Sequence, residues 1–217
     1  MPNWITTKLS APKHVIESMV NDKGWIDFEK ITPFPGPRDD FDGVYMDAEE
    51  AAEIVCGIPV NSHPLIAELK NHNRANFDIK KLDETSFKQF VGFLENYRAC
   101  GYLHSKDFNR KKWGRKWNAY ESTFDSEAGT ASFDTAWSCP GPVLTELSKN
   151  FPSDEIVVAY ADEDIGSNCG TFTLKAGEIT RSDIAPSWSK QSDEDKAKWK
   201  AFACEVKGLD LKEYDEE

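Results

Sequence analysis

Two runs of alternating residues fix more of this chain's fold than any other feature. Residues 117–124 (Trp-Asn-Ala-Tyr-Glu-Ser-Thr-Phe) and 130–137 (Thr-Ala-Ser-Phe-Asp-Thr-Ala-Trp) both carry a period of two. The turn formers of 125–129 lie between them. Period two places alternate side chains on opposite faces, so the pair reads as a β-hairpin. Pro140-Gly141-Pro142 then opens a helix through Val143, Leu144 and Leu147 that ends near Asn150. Residues 156–160 (Ile-Val-Val-Ala-Tyr) read as a buried strand, and 170–174 as the strand that pairs with it. The segment 117–175 is therefore β-β-α-β-β.

The N-terminal stretch supplies the missing half. Residues 2–9 read as a strand, Ser10 as an N-cap, and Val15, Ile16, Met19 and Val20 as one helical face. Residues 25–31 read as a second strand, stopped by the proline-rich run 33–37. Adding 2–20 gives β-α-β-β-α-β with a last edge strand: an α+β, ferredoxin-like, mainly antiparallel sheet with helices on one face. Between these halves, 37–105 shows helical spacing only. Asp47-Ala48-Glu49-Glu50 resembles a capping box for a helix closed by Gly57, Ser62 with Pro64 opens a helix carrying Leu65, Ile66 and Leu69, and Phe87, Phe90, Val91, Leu94 and Tyr97 mark a longer one stopped by Gly101. The expected organisation is a ferredoxin-like domain from 1–36 and 106–185, a helical insertion over 37–105, and a C-terminal helix with an acidic tail over 186–217. Ser192 caps that helix, with Ala197, Ala201 and Phe202 on its apolar side.

Charge narrows the function classes. Lys and Arg number 26 against 38 Asp and Glu, a net charge of −12. The average field repels nucleic acid and anionic membranes and favours basic protein partners. No run approaches the ~18 apolar residues of a membrane span, and the start lacks a secretory pattern. Five cysteines, odd in number and without a C-x-x-C, read as reduced thiols in the cytoplasm. Their spacing supports no iron–sulfur cluster, and the sequence calls for no cofactor.

Five collinear motifs carry a resemblance. They are Met1-Pro2-Asn3-Trp4, Phe28-Glu29-Lys30-Ile31-Thr32-Pro33, and Trp113-Gly114-Arg115-Lys116-Trp117-Asn118-Ala119. Phe133-Asp134-Thr135-Ala136-Trp137-Ser138-Cys139-Pro140-Gly141-Pro142-Val143 and Tyr160-Ala161-Asp162-Glu163-Asp164-Ile165-Gly166-Ser167-Asn168-Cys169-Gly170 complete the set. Together, over 1–35 and 108–180, they resemble the YubB-like proteins of bacteriophages and plasmids. The resemblance implies a ferredoxin-like fold and a mobile-element origin, and no mechanism. The family usually has Cys after Met-Pro-Asn-Trp; Ile5 stands there in this chain, so no thiol role carries over.

Lys106, Arg110, Lys111, Lys112, Arg115 and Lys116 cluster with Phe108, Trp113 and Trp117 interleaved. Cations neutralise phosphates while aromatic faces stack bases, the logic of single-strand binders. The competing reading makes the tryptophans core or rim residues and the cations a solvated face. Asp39, Asp40, Asp42 and Asp47 either present a phosphate-like surface to a basic partner or form a solvated loop and helix start. The 162–168 stretch has calcium-loop oxygens, but its glycine sits one place early and no Glu closes it, so no metal is expected. Cys139 near a helix start reads as a small buried thiol. The leading expectation is a phage or plasmid accessory protein, without enzymatic activity, that binds a host protein, for instance to inhibit a defence complex. A nucleic-acid binder using 106–117 is the alternative, and an enzyme the third.

Overall fold

The computed structural model describes residues 3–39, 43–60 and 63–211. Strand β1 (Trp4–Ser10) and helix α1 (Lys13–Ser18) come first. Helices α2 (Met46–Val55), α3 (Pro64–Ala75), α4 (Glu84–Cys100) and α5 (Ser105–Lys112) follow. Then come β2 (Tyr120–Asp125), β3 (Thr130–Ala136), α6 (Gly141–Asn150), β4 (Glu155–Ala161), β5 (Gly170–Lys175), β6 (Glu178–Ile184) and α7 (Asp193–Lys207). Contacts divide the chain into two units, Met1–Pro33 with Asn109–Glu217, and Phe34–Phe108.

The first unit holds a six-stranded sheet in the order β2-β3-β1-β4-β5-β6. All its pairings are antiparallel. β1-α1-β2 is split by β3, and β3-α6-β4 is split by β1. That interleaving is the ferredoxin-like topology expected from the sequence. Ile5, Leu9, Phe133, Ile156, Val158, Phe172 and Leu174 face Val15, Ile16 and Met19 of α1 and Val143, Leu144 and Leu147 of α6 in one core.

Four details depart from the sequence reading. Residues 25–31 form no strand of the sheet: Ile26 makes an isolated bridge to Val20, and Phe28–Lys30 is a 3-10 turn. Asp27 caps that turn through the Glu29 N–H, a local bond that competes with a ladder. Phe28 then packs edge-on against Trp113 and Phe133, with centroids 5.6 and 5.5 Å apart. Second, α1 is flanked by Pro12, and Ser10 remains in β1. Third, β6 extends the sheet beyond β5, which is therefore not an edge. Its seven positions are all exposed, so it lacks the apolar alternation that marks a half-buried strand. Ala176 and Gly177, at φ 51° and 82°, supply the tight turn that joins the two.

Fourth, helices lie on both faces of the sheet. Lys207 of α7 donates to the Trp4 carbonyl and to Thr6 Oγ1, and Lys8 donates to the Glu205 carbonyl. Thr6 and Lys8 point away from the core side of β1. Helix α7 buries Trp199, Ala203, Cys204 and Val206 beside Ala161, Ile165 and Cys169. Ala197 and Ala201, expected on its apolar side, are exposed, and Phe202 is half-buried. Ser192 and Asp195 form the capping box.

In the second unit, Ala48, Ala51 and Ala52 of α2 meet Phe90 and Phe93 of α4. Small residues on one helix let large ones on the other fill the interface. Asn96, fully buried, donates to the carbonyls of Arg38 and Leu103 and accepts from the Arg38 N–H. Helix α3 starts after His63, whose ring accepts from the Leu65 N–H, while Ser62 lies outside the described residues. Leu65, Ile66 and Leu69 of α3 are exposed.

Candidate binding surface

The basic segment separates into two populations. Arg110, Lys111 and Lys112 are exposed at the end of α5, and Lys106 and Lys116 are half-buried. Trp113 and Arg115 are turned inward, at 2% and 7% exposure, and belong to no surface patch. The Trp113 indole N–H donates to the Thr32 carbonyl at 2.9 Å. The Arg115 guanidinium donates to the carbonyls of Ala136 and Cys139 and to Ser138 Oγ, which clamps the β3–α6 turn. Burial pulls its pKa below the ordinary arginine value. Gly114 between them is left-handed at φ 78°, and a Cβ there would lie 2.7 Å from the Pro142 ring. Phe108 is also buried. Of the interleaved aromatics, Trp117 is on the surface, with Lys116 Nζ 5.0 Å from its ring centre. Among the acidic candidates, Asp39 is exposed, and Asp47 accepts from Ser86 Oγ in the second unit. Asp40, Asp42 and the acidic tail lie outside the described residues.

A different constellation is assembled where the loop after α1 meets the start of β2. Asn21 closes its loop through Oδ1, which accepts from the N–H groups of Lys23 and Trp25. Asp27 accepts from Asn118 Nδ2 at 2.7 Å, from Asn21 Nδ2 at 3.1 Å, and from the Glu29 N–H at 2.9 Å. Asn118 Oδ1 accepts from the Phe28 N–H at 2.9 Å, and Ser122 Oγ from the Ile26 N–H at 3.0 Å. Partial burial pushes the Asp27 carboxyl up, but the donors Asn118, Asn21 and Glu29 N–H, with the charge of Lys30, outweigh it. The net pKa lies below the ordinary value. This network ties two chain segments ~90 residues apart into one rigid frame.

The frame holds open a cleft of about 550 Å³, lined by Asn21, Trp25 and Ile26 on one side and by 118–122 on the other. Trp25 and Tyr120, 59% and 53% exposed, form its aromatic walls. Trp4 stacks on Tyr120 with centroids 5.1 Å apart and planes 27° from parallel. The β2–β3 register shifts between Tyr120 and Thr123, and in that bulge Glu121 adopts φ 45°. A non-glycine residue there is strained, and a bulge re-aims side chains. Glu121 is thereby a lining residue of the cleft.

These residues escaped the sequence reading, though one signal was available. Ile5, Thr7 and Leu9 set the core phase of β1, and Trp4 falls on its polar phase. A tryptophan out of phase marks a surface aromatic.

Two other candidates are absorbed by structure. Burial pushes the Cys139 thiol up to about 12, which leaves it protonated and unreactive despite the nearby helix start. Asp162 accepts from the Asp164 N–H and from Asn168 Nδ2, donors of its own loop. Among the described residues, no group of three or more His, Cys, Asp or Glu gathers as metal ligands do. No helix among them is long and apolar enough to cross a membrane.

No curated protein matches the chain. The crystal structure of protein Api92 from Yersinia pseudotuberculosis aligns with 86% of this chain and 99% of its own, at 11% identity and a TM-score of 0.42. Over residues 116–201, from the entry to β2 into α7, the chain is similar to the family described as the ferredoxin-like domain in Api92-like protein.

Proposed function

We propose that this chain is a binding module without enzymatic activity, an accessory protein of a phage or plasmid that acts in the bacterial cytoplasm by holding a host protein. Inhibition of a host defence complex is one form of that activity. The observation that carries the proposal is the pair Trp25 and Tyr120, large aromatics left in water at the walls of one cleft and mounted on a hydrogen-bonded frame. Exposed Trp and Tyr on rigid supports are the usual anchors of protein interfaces, because they bring much area at little entropic cost. The phage or plasmid origin rests on the five motifs shared with YubB-like proteins. The test is affinity capture from the bacterial host with and without nuclease, using wild type and the Trp25→Ala/Tyr120→Ala variant. A stoichiometric protein held by wild type through nuclease and lost from the variant supports the reading; equal capture by both refutes it.

A second reading, nucleic-acid binding, is favoured by one observation: Arg110, Lys111 and Lys112 end α5 in solvent, just before Lys116 and exposed Trp117. It requires that Lys111→Glu with Lys112→Glu abolish binding and that affinity fall steeply with salt.

A further inference from the structure

We infer that the Trp25–Tyr120 cleft receives the guanidinium of an arginine side chain from a basic protein partner. The inference rests on the binding-module reading and assigns the chemistry of its anchor.

Three features of the cleft converge on a planar cation. Its walls are electron-rich aromatic faces, which attract cations and stack on guanidinium planes. Glu121, an exposed acidic residue, is one of its lining residues and sits in a strained bulge. The Trp25 ring already takes a cation within the chain: Lys23 Nζ stands 5.8 Å from the ring centre. A guest arginine replaces Lys23 on that ring and gains a carboxylate partner, with bidentate geometry that an ammonium cannot match.

Further carboxylates lie nearby, alongside the ammonium of Lys207 on the Trp4 carbonyl. Asp134 lies directly across the ladder from Tyr120. Asp162 and Asp164 are held by Asn3, next to Trp4 in the chain. A nucleobase would satisfy the aromatic walls, but its phosphates would then face Glu121 and Asp134. The carboxylates discriminate between the two occupants, and the net charge of −12 attracts a basic partner from a distance.

The test is a titration of the full chain, followed by the Trp25 indole resonance. The probes are an acetylated, amidated Gly-Arg-Gly-Arg-Gly peptide, its norleucine analogue, and a twelve-residue oligothymidylate. The arginine peptide should shift the indole saturably, and the norleucine peptide should not. Glu121→Gln should weaken the arginine peptide at least about threefold, and Lys23→Ala, which vacates the ring, should strengthen it. Both substitutions are on exposed side chains and leave the frame intact. Equal shifts by both peptides, saturation by the oligonucleotide instead, or indifference to Glu121→Gln would overturn the inference. The captured host protein separates the two levels. If Trp25→Ala/Tyr120→Ala loses it and Glu121→Gln retains it in full, the binding surface stands and the arginine assignment falls. If neither variant loses it, both fall.

Discussion

Asn118→Ala tests whether the cleft is framed by the network described above. The side chain makes two bonds that cross from one segment to another. Its Oδ1 accepts from the Phe28 N–H, and its Nδ2 donates to Asp27. A neutral bond of this kind is worth about 1 kcal/mol, and one to a carboxylate about 1.5 kcal/mol at a half-exposed site. The expected loss is therefore about 2.5 kcal/mol at pH 7. With a urea dependence of about 2 kcal/mol/M, the midpoint followed by tryptophan fluorescence falls by about 1 M. The pH dependence is the sharper part. Asp27 has a folded pKa below the ordinary aspartate value. Its contribution is fully present above that value and is lost as pH falls through the lower, folded one. The cost of Asn118→Ala should thus shrink to about 2 kcal/mol, two neutral bonds, as the medium is acidified. In an Asp27→Ala background, where of these two only the Phe28 bond remains, the cost should be about 1 kcal/mol at every pH. A cost below about 0.5 kcal/mol, or one that does not change with pH, refutes the frame.

Glu121→Gly relieves a left-handed residue and should raise stability by about 1 kcal/mol, read as a higher urea midpoint, while it weakens the arginine peptide; a loss of stability would mean the bulge is not strained. Arg115→Ala strips donors from two carbonyls and a hydroxyl and should cost about 3–4 kcal/mol in urea unfolding. Arg115→Lys should rescue little of that, since one ammonium cannot reproduce the fork; full rescue would show that charge alone matters there.

The fold was legible where a physical period forced it. The 130–137 alternation put Phe133 and Ala131 inward and gave β3, and the apolar run 156–160 gave β4. Legibility failed where burial did not impose a period. β6 is wholly exposed and is held by its ladder and its turn. Residues 25–31 look like a strand because Trp25, Ile26 and Phe28 favour one, yet Asp27 binds locally and redirects the chain. The candidate site failed for a related reason. Residues 106–117 are dense in charge and aromatics along the sequence, but α5 and the turn after it point these side chains in different directions. Trp113 and Arg115 went inside, and Arg110 to Lys112 stayed out. The aromatics that share a surface come from 4, 25 and 120, and only the strand order and the Asp27–Asn118 bond bring such distant positions together.

The exposed aromatics also bound what the partner must be. A Trp or Tyr buries about 150–250 Å² when covered, so the exposed fractions of Trp25 and Tyr120 offer about 250 Å² between them. At about 25 cal/mol per Å² that is about 6 kcal/mol gross. Association itself costs about 4–15 kcal/mol, so the two rings cannot hold a protein alone. A stable complex needs about 800 Å² from each side. The remainder has to come from surface around the cleft. Helix α7 already covers β1, β4 and β5 on the sheet face opposite α1 and α6. On β2 and β3, Tyr120, Thr123, Ser132 and Asp134 follow one another across the ladder. That polar strip, with the Trp4–Tyr120 stack at its end, adjoins the cleft. A partner that seats one arginine between Trp25 and Tyr120 and also lays a flat basic surface along β2 and β3 adds the area that the cleft alone does not offer.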